Sequence, residues 1–332
     1  MTGPSQTPRT SRRIAIDRYR DGREAHGFRE ELRASLSETP RRIPSRFFYD
    51  DEGSALFEEI CVQPEYYPTR TERAILEEHA AHIVQVSGAE ELVELGSGAA
   101  TKTEILLDAM DAAGQLRLYV PFDVSEVMVE RVAERLVARY PELRVHGVVG
   151  DFIAHLGSIP EGGRRLAVLL GGTIGNFVPR EGREFLGRVG RRLSSGDHFL
   201  LGTDLIKDAA TLEAAYNDAR GVTAAFNLNI LRVVNDLTGG DFDLDAFRHR
   251  AFWNAADHRI EMRLVSLRSQ RVTLPELGLA LDFDAGEEIL TEISTKYDRE
   301  KVETLLGGAN LELVGWYTDP GERFALSLSR KG

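Results

Sequence analysis

Cysteine is nearly absent. Cys61 is the one thiol in 332 residues, so an internal disulfide is excluded. Long apolar runs are missing too, with none approaching the ~20 residues that cross a bilayer as a helix. Basic residues are in deficit: 41 Lys and Arg stand against 53 Asp and Glu, a formal net charge of −12. That balance argues against nucleic acid or an anionic membrane as partner and makes a small molecule the expected ligand. No nucleophilic triad or metal-ligating cluster is visible, so no metal is expected. The stretch from Met1 to Arg13 has no hydrophobic signal core and is rich in Ser, Thr, Pro and Arg, which reads as a flexible tail. The cytoplasm is the expected compartment and a monomer the expected state.

What is present is an ordinary globular composition, 42% hydrophobic and 28% charged, organised around one stretch. Glu91-Leu-Val-Glu-Leu-Gly96-Ser-Gly98-Ala-Ala-Thr-Lys102-Thr is a short apolar run, a glycine-rich turn and a helix start. It reads as the first strand, nucleotide-binding loop and first helix of a doubly wound α/β fold. Thr101 occupies the third position of a dinucleotide fingerprint, where glycine is usual, so the loop alone does not name its ligand. A second strand, Leu116 to Asp123, ends in an acid where such folds present a carboxylate to ribose hydroxyls, although Asp123 reads equally as a helix cap. The third strand, Leu143 to Val149, runs into Asp151-Phe152. That pair suits an adenine ring, with a carboxylate for the exocyclic amine and a flat apolar face, or it caps a helix. A fourth run, Arg165 to Leu170, leads into the loop carrying Asn176, and Asp197 to Asp204 makes a fifth. Loops at the carboxyl ends of parallel strands face the ligand crevice, which places Asn176 there.

After Ile206 the alternation breaks. Two helical stretches, one containing Tyr216 and one running through Phe226 to Val234, are followed by alternating segments at 247–253, 258–268 and 271–283, an inserted α+β lobe. In Glu288 to Ser294 a period of two puts Glu292 and Ser294 on one face, whereas a helix would separate them. Leu311 to Tyr317 and Phe324 to Leu328 flank Asp319-Pro-Gly321 and read as a closing antiparallel hairpin. Towards the N-terminus, Tyr49 and Tyr66 sit in aromatic, acidic segments that either pack as core or line a ligand site.

Taken together these features resemble the class I S-adenosylmethionine (SAM)-dependent methyltransferases. More specifically, the chain is similar to the histidine Nα-methyltransferases of ergothioneine biosynthesis, which convert histidine to its trimethylated betaine, hercynine. The likeness runs from about Phe28 to Arg330 through FFYDDEGSALFEEI, PEYYPTRTE, LVELGSG, PFDVS, GDF, GGTIGNF, LLGTDLIKD, GVTAAFNLNIL, DFDLDAF and GEEILTEIS. It implies a Rossmann-like methyltransferase sheet with a C-terminal antiparallel hairpin, plus a smaller α+β substrate-binding domain. The expected layout is a tail over 1–17, a substrate-binding domain from 18–70 and 206–296, and a SAM-binding domain from 71–205 and 297–332.

By the same resemblance Tyr66, Gly96, Lys102, Asp123, Asp151 and Phe152 would hold SAM. Asn176 and Tyr216 would hold the amino-acid end of histidine, with Tyr49 close by. Glu292 and Ser294 would read the imidazole, while Phe226 and Met262 shape the pocket. Tyr49 and the Asn176 loop would flank the water that takes up the amine proton. Nα-methylation of another amino acid such as tryptophan or tyrosine is the nearest alternative, with Glu292 and Met262 as the discriminating positions. A nicotinamide-dependent oxidoreductase shares the opening loop but not the Asp-Phe pair or the hairpin, and a non-catalytic SAM-binding module would need no residues matched to both ends of an amino acid.

Overall fold

The protein is described by a computed structural model covering residues 13–19 and 22–332. The expected flexibility of Met1 to Ser11 and Arg12 lies outside the described residues. In chain order the elements are β1 (Ile14–Arg18), α1 (Gly22–Leu36), β2 (Arg41–Arg42), a 3₁₀ turn at Ser45–Phe48, α2 (Asp51–Cys61) and α3 (Pro68–Ser87). Then follow β3 (Glu91–Leu95), α4 (Thr103–Ala112), β4 (Leu118–Asp123), α5 (Glu126–Arg139), β5 (Arg144–Val149), α6 (Phe152–His155), β6 (Arg165–Leu169), α7 (Pro179–Arg192) and β7 (His198–Asp204). The insertion holds α8 (Ala209–Ala215), α9 (Val222–Thr238), β8 (Phe247–Asn254), β9 (Arg259–Ser266), β10 (Gln270–Leu274), β11 (Leu279–Phe283) and β12 (Glu288–Thr295). Last come α10 (Arg299–Gly307), β13 (Leu311–Thr318) and β14 (Phe324–Lys331).

An eight-stranded sheet in the order β1-β5-β4-β3-β6-β7-β14-β13 is parallel through β7 and antiparallel at the hairpin β13–β14. Both its faces are covered. Leu92, Tyr119, Leu166 and Leu200 pack under α3, α4 and α5, while their chain neighbours Val93, Val120, Ala167 and Phe199 pack under α7 and α10. That alternation is why these strands are near-continuous apolar runs. The chain reverses direction across the sheet between β3 and β6, which opens the crevice at their carboxyl ends.

A four-stranded sheet, β2-β12-β9-β8, belongs to the inserted lobe. Its core joins Leu32, Leu36 and Phe48 from the N-terminal segment to Phe226, Ile230, Met262 and Ile289, so two stretches far apart in sequence share one interior. β2 pairs in parallel with β12, matching Arg41 to Ile289.

Two expectations are corrected. A tail reaching residue 17 is contradicted by β1, a sixth parallel strand pairing Ile14 to Val145 and Arg18 to Val149. Three bonds from the Arg13 guanidinium to the carbonyls of Val137, Tyr140 and Leu143, at 2.8–3.1 Å, fasten its start to the end of α5. The alternating segment at 271–283 is not one strand but the hairpin β10–β11, turned at Pro275–Leu277 because proline and Gly278 at φ +62° cannot continue a ladder.

Candidate active site

The glycine loop is built from behind. Glu94, buried in β3, accepts hydrogen bonds from the Thr103 hydroxyl at the head of α4 and from the Tyr119 hydroxyl of β4. Burial pushes its carboxyl up to about 7 against those bonds. Gly96 and Gly98 both have positive φ, +77° and +47°. A Cβ at Gly98 would meet open space, and one at Gly96 only the Phe152 ring at 3.5 Å. Between them the Ser97 hydroxyl is buried with no partner among the described residues. Asp123 Oδ2 accepts the Gly98 N–H at 2.8 Å and Oδ1 accepts the Ser125 N–H at 3.0 Å, which fixes the carboxylate at the lip of the loop. An open cradle, an orphaned hydroxyl and a held carboxylate fit the ribose and methionine portions of SAM.

Asp151 is the helix cap that its sequence offered as one reading. Its Oδ1 accepts the Ile153 N–H at 2.7 Å and caps α6, while its Oδ2 lies 3.5 Å from Arg46 Nη1. The Arg46 guanidinium also lies over the Phe28 ring at 4.7 Å, so the N-terminal segment reaches Asp151 at the carboxyl end of β5. Phe152 stands edge-on to Phe122 and Phe185 and closes against Gly96. Lys102 is paired with Glu72, a carboxylate sealed under α3 that also accepts the Gly171 N–H at 2.8 Å.

Across the crevice β12 presents its inner face. Glu292 and Ser294 share a face, as the period of two predicts, pairing with Met262 and Ile260 of β9. A bulge between Leu290 and Glu292 breaks the period there, so that Ile289, paired with Leu264, falls on the Glu292 face and not opposite it. The Thr291 hydroxyl donates to Asn227 Oδ1. Glu292 takes no hydrogen-bond or ion-pair partner among the described residues. It keeps some accessible surface, yet protein surrounds it, so that surface belongs to a recess. Burial pushes its carboxyl up to about 7, opposed by the charge of Lys296.

Tyr216, just past α8, donates its hydroxyl to Ser294 Oγ at 2.8 Å. It thus stands with Ser294 on β12, and the structure shows no bond from it to Asn176. The Tyr66 ring meets Tyr216 edge-on at 6.4 Å, on the same side of the recess. Tyr49 packs edge-on to Phe57 and Phe226, while Phe226 stacks on Phe48 at 4.4 Å. Tyr49 is 41% exposed as a residue, while its surroundings push the hydroxyl up, by desolvation first and then by Glu292. Asn176 lies half-buried on the 3₁₀ turn Thr173–Asn176, whose Gly175 is pressed against Thr295 so closely that a Cβ would sit 2.8 Å from its carbonyl oxygen.

Sequence reading missed the group beneath these residues. Asp204, at the carboxyl end of β7, accepts the Tyr67 hydroxyl at 2.8 Å and pairs with Lys207 at 2.6 Å and Lys296 at 2.8 Å. Lys296 is fully buried. Two signals were available: Lys296 continues the alternation of Glu292 and Ser294, and Asp204 ends a central strand where crevices form.

The sequence pattern of a family described as "Histidine-specific methyltransferase, SAM-dependent" matches residues 28–331. A histidine N-alpha-methyltransferase of Mycolicibacterium smegmatis is 49% identical over 92% of this chain and 95% of its own length. Another, from Mycobacterium tuberculosis, is 47% identical over 91% of this chain and 94% of its own. The ergothioneine biosynthesis protein 1 of Neurospora crassa is 32% identical over 88% of this chain, which spans 33% of that longer protein.

Proposed function

We infer that this chain, which belongs to the family of histidine-specific, SAM-dependent methyltransferases, is an enzyme that methylates the α-nitrogen of L-histidine in ergothioneine biosynthesis. We further propose that the eight-stranded unit holds SAM, that the inserted lobe with residues 28–67 holds histidine, and that transfer repeats to the trimethylated product, hercynine. The observation that carries the site assignment is Glu292, a carboxylate with no partner among the described residues that shares one face of β12 with Ser294, itself bonded to Tyr216.

SAM, when bound, supplies a methyl carbon already activated by a sulfonium. What remains for the protein is alignment of a neutral amine and removal of its proton. Glu292 and the Ser294–Tyr216 pair would fix the ring, and Asn176 on its pinned turn would meet the amino-acid end. A phenol is protonated near neutrality and the surroundings of Tyr49 push it further up, which makes it a donor or a water anchor and not a base. The amine proton then leaves through water beside Tyr49 and the Asn176 loop. Incubation with SAM and each amino acid in turn, read by mass, tests the whole reading: histidine gaining methyl groups supports it, and labelling of another amino acid in its place overturns it.

The loop makes its own prediction. At Gly98 a Cβ would meet no protein atom, so Gly98→Val should cost stability chiefly the roughly 2 kcal/mol of a β-branched residue held left-handed. The isopropyl group would project into the cradle, and SAM affinity by calorimetry should fall at least about tenfold, roughly the loss of 1.4 kcal/mol.

A further inference from the structure

Glu292, Ser294 and Lys296 follow one another along one face of β12 and its end, with Lys296 sealed from solvent. An ammonium has three donors and no acceptor. Lys296 Nζ contacts Asp204 Oδ2 at 2.8 Å, Ser294 Oγ at 2.7 Å and Tyr216 Oη at 3.1 Å, so all three donors are spent. The two hydroxyls carry two protons between them. One lies in the 2.8 Å bond from Tyr216 to Ser294. The other cannot point at Lys296, which accepts nothing. Whichever oxygen carries it, that proton is left for donation away from Lys296, and Ser294 shares its face of β12 with Glu292.

We propose that Lys296 is a positioning residue that makes the Ser294–Tyr216 pair an obligate hydrogen-bond donor, so that beside Glu292 the pocket offers one donor and one acceptor and selects a neutral imidazole. The inference rests on histidine as substrate and deepens that reading. Neutral imidazole has one N–H and one lone-pair nitrogen, and it satisfies both groups at once. A ring with no lone-pair nitrogen, such as indole or thiophene, leaves the hydroxyl proton unmet, and a site with unmet buried polar groups rejects its ligand strongly. The Lys296 charge also works against the burial of Glu292 and favours the carboxylate that must accept the ring N–H. Burial works against the Lys296 ammonium itself, but Asp204 and Tyr216 outweigh it, and the net direction is up.

The test compares histidine with β-(2-thienyl)alanine, whose five-membered ring has neither a ring N–H nor a ring nitrogen acceptor, in the full chain with saturating SAM. Lys296→Met should lower kcat/KM for histidine about 30-fold, mainly through KM, and leave the slow turnover of the thiophene within about threefold. Ser294→Ala should do the same. The double variant should lose no more than about threefold beyond either single one, since both act through one donated proton. Equal losses on both substrates, or multiplying losses in the double variant, would reduce Lys296 to a brace between β7 and β12 and overturn the proposal. Should Lys296→Met not fold, Lys296→Gln decides. Its side-chain carbonyl gives the hydroxyl pair an acceptor that the ammonium denies it, so the histidine-to-thiophene ratio should fall about tenfold or more, and an unchanged ratio in folded Lys296→Gln is the overturning result. A parent enzyme inactive on histidine would instead bring down the functional reading, and this inference with it.

Discussion

Glu292→Gln is expected to weaken histidine use and strengthen the fold. Glu292 is a carboxylate in a protein-walled recess with no partner among the described residues, so its ionised form is held at a cost until a ligand N–H arrives. Charge-assisted bonds are roughly twice as strong as neutral ones, so kcat/KM for histidine should fall about tenfold in Glu292→Gln. In Glu292→Ala, which removes the acceptor altogether, the loss of roughly 1.5–3 kcal/mol corresponds to about 10- to 100-fold. An unchanged histidine affinity in Glu292→Ala would end its role in specificity.

The pH dependence has a definite sign. The folded carboxyl sits near 7, above its ordinary 4.5, so the folded state holds this proton more tightly than the unfolded chain does. Its contribution to stability is greatest below the unfolded value and is lost as pH rises through about 7. Allowing for the access the side chain keeps, the loss by pH 8 is about 2 kcal/mol. Thermal melts of the ligand-free protein should therefore show Glu292→Gln more stable than the parent at pH 8 and equal to it near pH 4. Catalysis runs the opposite way. Glu292 faces Lys296 on its own strand and the phenols of Tyr49, Tyr66 and Tyr216, and only Lys296 is charged near neutrality. The parent's kcat/KM should rise through about pH 7 as the carboxylate forms. Dividing its profile by that of the Gln variant cancels the titration of histidine itself, and a flat quotient would refute the assignment.

How legible the fold was depended on whether a segment's partners lay near it in pattern. The five strands from Glu91 to Asp204 and the closing hairpin declared themselves, because both sheet faces are covered and most positions are apolar. β1 did not. An edge strand with one side open reads Ile-Ala-Ile-Asp-Arg, too short and too polar to separate from the arginine-rich stretch before it. The site divided in the same way. Asp123 and Asp151 were visible because a strand end fixes what an acid can reach, and Glu292 with Ser294 because a period of two fixes a face. Lysine, by contrast, is ordinarily a surface residue, and nothing local marks Lys296 as buried. Its burial is decided by Asp204, which the chain brings to it only when β7 and the end of β12 meet through the bridge from Leu205 to Tyr297.

That dependence makes Asp204→Ala the most damaging single change expected outside the glycine loop. Asp204 answers two ammonium groups, Lys207 and Lys296, and a phenol, Tyr67, all drawn from different parts of the chain. Buried ion pairs bring little net gain when whole, because desolvation cancels attraction, but removing one partner strands the other charge at about 3–5 kcal/mol. Lys207 can turn its ammonium to the Leu205 carbonyl, which it already contacts. Lys296 cannot escape, since no part of it reaches solvent. At the entropy typical of a chain this long, such a loss lowers the melting temperature by about 4–7 °C. Adding Lys296→Met to Asp204→Ala removes the stranded charge and should recover at least half of that loss in the same melt, while histidine turnover stays low because the ring-reading donor has gone with the ammonium. Recovery of stability without recovery of turnover separates the two duties of Lys296, whereas a double variant as unstable as Asp204→Ala alone would show that the charge was never the source of the cost.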